Sequence, residues 1–141
     1  MLDGHLYWVG VYFRWFDEPG WSVIREAFFS DIPWPARPVI EMMQRRRHAA
    51  ALKAQGTGRH SREDICRLGR NDVEALSRLL ADNTWFFDAP RPTLLDIWAH
   101  AFVGEIIAPP IDSPLKQATL RFGNLTDHFN RLQARLYGHT A

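Results

Sequence analysis

The chain has 141 residues, of which 46% are hydrophobic and 13% aromatic, with 17 basic side chains against 16 acidic ones. A domain of this size buries roughly two thirds of its unfolded surface, so this composition excludes a disordered chain and predicts a packed core. The near-zero net charge gives no global pull toward nucleic acid or a membrane surface, and a lone Cys66 excludes an internal disulfide and suits a reducing, cytoplasmic setting.

The N-terminus lacks the basic segment, apolar core and small-residue cleavage site of a signal peptide. No repeat or linker divides the chain, so one domain is expected over residues 1–141. A first helix is predicted from Asp3, as its cap, to Asp17. Its apolar residues form two stripes, one of Leu6, Val9, Phe13 and Phe16, the other of Trp8, Val11, Tyr12 and Trp15. A helix aromatic on both sides needs two partners to cover it. A second helix is expected from about Pro19 to Phe29, opened by proline in its first turn. Residues Asp31 to Pro38 are too rich in proline for a helix interior and read as a rigid connector. The third helix runs from about Pro38 to Gln55 and stops at Gly56 in a left-handed cap. Arg45, Arg46 and Arg47 form a basic collar on it, with Glu41 placed to pair with Arg45 at i,i+4; a solvated helix face is the plain reading of that collar.

Ser61 and Asp64 form a capping-box pattern at the head of a long helix ending near Ala81. Its apolar face comprises Ile65, Leu68, Val73, Leu76, Leu79 and Leu80. Residues 83–92 form a loop in which Trp85, Phe86 and Phe87 make a short extended piece against the core. Thr93 and Asp96 repeat the box, the hydroxyl meeting the Asp96 amide and the carboxylate reaching back to the Thr93 amide. They open a nearly all-apolar helix to Ala108, expected to be central and buried. The window Leu94–Ile111 contains Asp96, His100 and Glu105 and ends at two prolines, which makes it a poor membrane span. A short helix over 114–122 and an amphipathic one carrying Leu125, Phe129, Leu132 and Leu136 complete an all-α fold, a helical bundle.

Few residues suggest chemistry. Cys66 lies inside a helix, away from a helix start and without a partnered His, and reads as an inert thiol. Adjacent His60 and Ser61 cannot face each other as a base and nucleophile must; capping explains Ser61. Asp96 and His100, four residues apart, can share a hydrogen bond, but no metal-ligand cluster accompanies them. No catalytic, cofactor-binding or metal residue is assigned.

The segment from Trp85 to Trp98, with its Pro92-Thr93 and Asp96, resembles the loop and capped central helix of glutathione transferases. Pro110 to Lys116 and Asn124 to Leu132 resemble the closing helices of the C-terminal domain in that family. Gly58 to Ile65 resembles the narrower branch related to metaxin and failed-axon-connections proteins. The likeness covers about Leu6 to Tyr137. Asp88 departs from it, standing where the family usually has Gly. The resemblance implies a thioredoxin-like N-terminal domain, absent from this chain, that holds glutathione and the catalytic Tyr, Ser or Cys. This half would then contribute electrophile contacts from Tyr7, Val11, Tyr12 and Trp15, together with domain and dimer contacts, and would not be catalytic alone; separately, the surplus aromatic surface of the first helix predicts a homodimer. Core filling is the competing reading of those aromatics. The metaxin-like branch implies the alternative function, a non-catalytic protein-interaction module.

Overall fold

A computed structural model describes residues 2–138, with the side chains of Leu2 and Asp3 outside the description, so the Asp3 cap lies outside the described residues. The chain opens with a π-helical turn, Leu2–Leu6, followed by seven α-helices. These are α1 (Tyr7–Trp15), α2 (Glu18–Phe29), α3 (Ala36–Gln55), α4 (Arg62–Leu80), α5 (Leu94–Ile107), α6 (Pro114–Thr119) and α7 (Gly123–Tyr137). No strand occurs among the described residues, so the fold is all-α as the periodicity predicts.

The core is built by α1, α4, α5, α6 and α7, with Leu115 supplied by α6. On α4 the residues Ile65, Gly69, Val73, Leu76 and Leu80 are buried, a spacing of three and four that forms one face of a 3.6-residue helix. They meet Leu6, Val9 and Phe13 from the N-terminal turn and α1, Ala99 and Val103 from α5, and Leu125 from α7. Each such aliphatic side chain contributes about 1.5–3 kcal/mol on leaving water. Gly69 lets α4 approach closely, because a Cβ there would lie 2.7 Å from Val9 Cγ1 and 2.9 Å from Leu115 Cδ1. Leu79, expected in the core, is exposed; it lies one residue off the buried stripe.

The α2–α3 hairpin leaves this core. Trp21, Ile24 and Phe29 form a second cluster there, with Trp15, Ile32 and Ile40 packed against it. Gly56 terminates α3 at φ 118°, its amide donating to Leu52 O at 3.0 Å, as expected of a left-handed stop. Glu41 does not pair with Arg45. It accepts instead from Arg25 at 3.0 Å and Arg37 at 2.9 Å, while the Arg45 guanidinium lies 4.8 Å over the Trp21 ring. With Glu41 engaged by two other guanidiniums, Arg45 rests on the aromatic face of the hairpin's own cluster. The hairpin base is pinned to α4 by a two-pronged ion pair from Arg62 to Asp17, at 2.7 and 3.1 Å.

The expectation that α5 is covered all round holds for its inner face only. Asp96, Ala99 and Val103 are buried, whereas Leu94, Ile97 and Trp98 are exposed, Leu94 at 73%. The segment before α5 also departs from an extended piece. It is a 3₁₀ turn, Phe86–Asp88, in which Phe86 is fully buried and Phe87 turns out to solvent. Phe87 and Asp88 adopt φ 64° and 51°, a left-handed geometry that favours glycine. Asp88 holds this geometry at the conformational cost that Gly would avoid.

Candidate functional site

Two places combine polar groups with enclosure. The first is the start of α5. Asp96 is wholly buried and accepts four hydrogen bonds. Oδ2 takes the Thr93 amide at 2.7 Å and the Thr93 hydroxyl at 2.6 Å. Oδ1 takes the Phe86 amide at 3.0 Å and His128 Nε2 at 2.8 Å. Thr93 and Asp96 thus make the capping box, and its carboxylate also ties the preceding turn and α7 to the helix start. Burial alone would raise the Asp96 carboxyl, but the hydrogen bonds from Thr93, His128 and Phe86 hold it below the usual carboxylate range. Burial pushes the His128 imidazole below its ordinary range despite the pull of Asp96. The result is a neutral imidazole donating to a carboxylate, edge-on to the Trp85 and Phe86 rings.

Thr93, Asp96 and His128 share the residue types of a hydrolytic triad, but the side chains of Asp96 and His128 are 0% and 1% exposed. No substrate reaches them, and the arrangement is a structural lock. His128 was not singled out by the sequence reading. Its only signal is position, since with Leu125 and Leu132 it continues the buried stripe of α7. His100 does not bond Asp96 as its spacing suggested. It meets Gln133 Oε1 at 2.8 Å and stacks on Phe129, because α5 turns it toward α7 beside the Asp96–His128 pair.

The second place is a groove of about 270 Å³ between α1 and α5, near the lower limit for small-molecule pockets, ~300 Å³. Leu6, Tyr7 and Val11 form one wall, and Ala101, Phe102 and Ile106 the other. Gly10 forms part of the lining, where an added Cβ would meet nothing within 4 Å. One end is closed by Arg14, whose guanidinium donates to the Glu105 carboxylate at 2.5 Å and its carbonyl at 3.2 Å. None of the described lining residues is Cys, Ser, Thr or His, and the one carboxylate is engaged by Arg14. The groove can hold a small apolar molecule; it offers no activated nucleophile.

The structure separates the four residues assigned to an electrophile pocket. Tyr7 and Val11 line the groove. Tyr12 stacks with Phe16 on the side of α1 toward α4, where burial and nearby Asp17 raise its phenol above the ordinary range. Trp15 packs on Trp21, Phe29 and the His48 ring in the hairpin cluster. The second aromatic stripe of α1 therefore splits, because successive turns of α1 meet different neighbours. Cys66 is partly buried, and burial pushes its thiol up despite Arg62, which suits an inert thiol. Ser61 caps α4 by accepting the Asp64 amide at 3.1 Å, and His60 lies exposed beside it.

Residues 69–132 match the family model described as glutathione S-transferase, C-terminal domain. The chain is 34% identical over 89 residues to "Failed axon connections" of Drosophila melanogaster, an alignment covering 61% of this chain and 21% of that protein. It is also 34% identical over 88 residues to isoprene-epoxide–glutathione S-transferase of Rhodococcus sp. (strain AD45), covering 58% of this chain and 35% of that protein. The chain thus spans about a fifth and about a third of these curated relatives. No solved structure matches it significantly. The matched residues hold most of α4, the locked start of α5, the α5 wall of the groove and the closing helices, and over them the chain is similar to the glutathione S-transferase C-terminal domain.

Proposed function

We propose that this chain is the helical half of a glutathione-transferase-like protein, supplying the apolar wall of an electrophile pocket without activating glutathione itself. One observation carries the reading: the α1–α5 groove runs onto the uncovered outer face of α5. Tyr7, Ile97, Trp98 and Leu94 are all exposed there, and an apolar face of this kind marks a surface that meets a partner. A thioredoxin-like companion domain seated on that face would cover it and close the open side of the groove. In this reading glutathione is a co-substrate held by the companion domain. Tyr7 and Val11 receive the electrophile, opposite Phe102 and Ile106, while Tyr12 and Trp15 brace α1 from behind.

The Rhodococcus relative, by its name, joins glutathione to an isoprene epoxide, and a groove of 270 Å³ suits a molecule of that size. The reaction proposed is attack of the glutathione sulfur on an epoxide carbon. The ring C–O bond at that carbon breaks, and the oxygen, still bonded to the neighbouring carbon, becomes an alkoxide that takes up a proton. A homodimer and a cytoplasmic setting belong to the same reading. No helix among the described residues is long and apolar enough to cross a membrane.

The test is Gly10→Leu, which fills the groove from a position where a Cβ meets nothing. With the companion domain joined, we expect KM for a small epoxide to rise about tenfold, the order of a lost apolar subsite. KM for glutathione should stay unchanged, and residues 1–141 alone should give no turnover. Turnover by the isolated chain, or an epoxide KM indifferent to Gly10→Leu, refutes the assignment. Companion-domain binding without conjugation would favour the protein-interaction alternative.

A further inference from the structure

The chain's overall charge balance hides a local imbalance on the α2–α3 hairpin. Helix α3 carries five basic side chains (Arg37, Arg45, Arg46, Arg47 and Lys53) and one acidic side chain, Glu41. Glu41 is already held by Arg25 and Arg37. Arg46 and Arg47 are exposed, and neither takes part in an ion pair among the described residues.

The apex of the same hairpin is apolar and uncovered. Trp34 is 83% exposed in a connector flanked by Pro33 and Pro35, and Phe28, Val39 and Met43 are each more than half exposed. Of the 20 residues of α3, only Leu52, near its end, is buried. Val39, Met43 and Arg46 succeed one another at spacings of four and three and so share one face. About 10 Å of helix separates the apolar end of that face from its arginines. Between α2 and α3 an open cleft of about 480 Å³, floored by Trp21 and lined by Arg25, Arg45 and Arg46, adjoins this face through Met42.

An exposed tip of Trp, Phe, Val and Met with an arginine collar one or two turns behind it matches the layering of a bilayer surface. Aromatic and aliphatic groups settle at the acyl boundary, and cations meet the phosphates above it. A second copy of this chain would bring its own arginine-rich α3 against the first. Asp31 is the one acidic residue in the connector, and the five arginines between residues 25 and 47 exceed the three carboxylates there.

We propose that the α2–α3 hairpin docks this protein peripherally on bilayers rich in anionic phospholipid, with Trp34 and Met43 in the interfacial layer and Arg46 and Arg47 on the phosphates. The proposal stands apart from the groove and its chemistry. The experiment is co-sedimentation of the chain with vesicles of phosphatidylcholine alone, and of two parts phosphatidylcholine to one part phosphatidylglycerol. Binding is expected only to the mixed vesicles, weakened by salt and unaffected by inorganic phosphate at equal ionic strength. Arg46→Glu with Arg47→Glu should weaken it by at least about tenfold, from about fivefold per arginine near an anionic surface. Trp34→Ala should also weaken it by about tenfold through lost interfacial burial. Leu79→Ser, an exposed position on α4, should leave binding unchanged. All these positions are exposed, and matching melting curves will show that the variants fold. Absence of binding to the mixed vesicles, equal binding to both kinds, indifference to the Trp34 and arginine substitutions, or self-association through this face in place of vesicle binding would each overturn the proposal.

Discussion

Replacing Asp96 with Ala strikes the lock at the start of α5 and should be among the most damaging single changes in the protein. The substitution removes the acceptor from three buried or half-buried nitrogen donors, the amides of Phe86 and Thr93 and the His128 ring. Loss of the cap alone is worth about 0.5–2 kcal/mol, and each buried donor left without a partner adds about 1–3 kcal/mol. These effects are not additive, so the expected total is about 3–5 kcal/mol, well below the sum of the upper figures. For a domain of this length that lowers the melting midpoint by about 10 °C or more. Thr93→Ala should stay within the cap's share, because the Asp96 carboxylate keeps the Phe86 amide and His128. Thermal unfolding followed by far-ultraviolet circular dichroism measures both. A shift of only a few degrees for Asp96→Ala, or equal shifts for the two variants, would refute the reasoning that the carboxylate joins three segments.

Acid should unfold the protein in two stages. His128 is held below its ordinary range, so the unfolded chain binds the proton more readily; its contribution is complete above about pH 6.5 and declines as pH falls below that. Asp96, held low by its donors, adds a second loss below about pH 4; denaturant midpoints that do not change between pH 7 and pH 3 would contradict both. Gly20→Ala should destabilise by about 2 kcal/mol or more, since its Cβ would lie 1.9 Å from the Phe13 carbonyl oxygen and backbone cannot swing aside. Gly10→Ala, with open space around it, should be neutral or gain up to about 1 kcal/mol from helix propensity; equal losses at Gly20 and Gly10 in urea titrations would count against the packing described. Asp88→Gly should raise the melting midpoint, because φ 51° strains an aspartate by about 1 kcal/mol; a lower midpoint would place other contacts of Asp88 above its backbone strain.

The parts of the fold that were legible in sequence are those written in local chemistry. Ser61, Thr93 and Asp96 announce their helix starts, Gly56 its helix end, and the Ile65 to Leu80 stripe its buried face, because each acts within one or two turns. Pairings across the bundle were not legible. The stripe of Leu125 and Leu132 places His128 on the inner face of α7, but only the arrival of α7 beside α5 makes it the partner of Asp96. Arg45 illustrates the same limit, since i,i+4 spacing favours Glu41 until tertiary packing puts Trp21 within reach. The groove was half legible. Tyr7 and Val11 face α5, but the turn from α1 into α2 carries Trp15 into the hairpin cluster. Hydropathy marks α5 as buried without indicating which element covers it, and within this chain one side of it faces water.

That uncovered side is where the functional account is most exposed to test. Oxidative footprinting of Tyr7 and Trp98 compares residues 1–141 alone with the same chain joined to the proposed thioredoxin-like companion domain. The account predicts that both side chains, 46% and 43% exposed here, lose most of their labelling when the companion is present, while Trp34 on the hairpin keeps its own. Unchanged labelling of Tyr7 and Trp98 in the joined protein would contradict it.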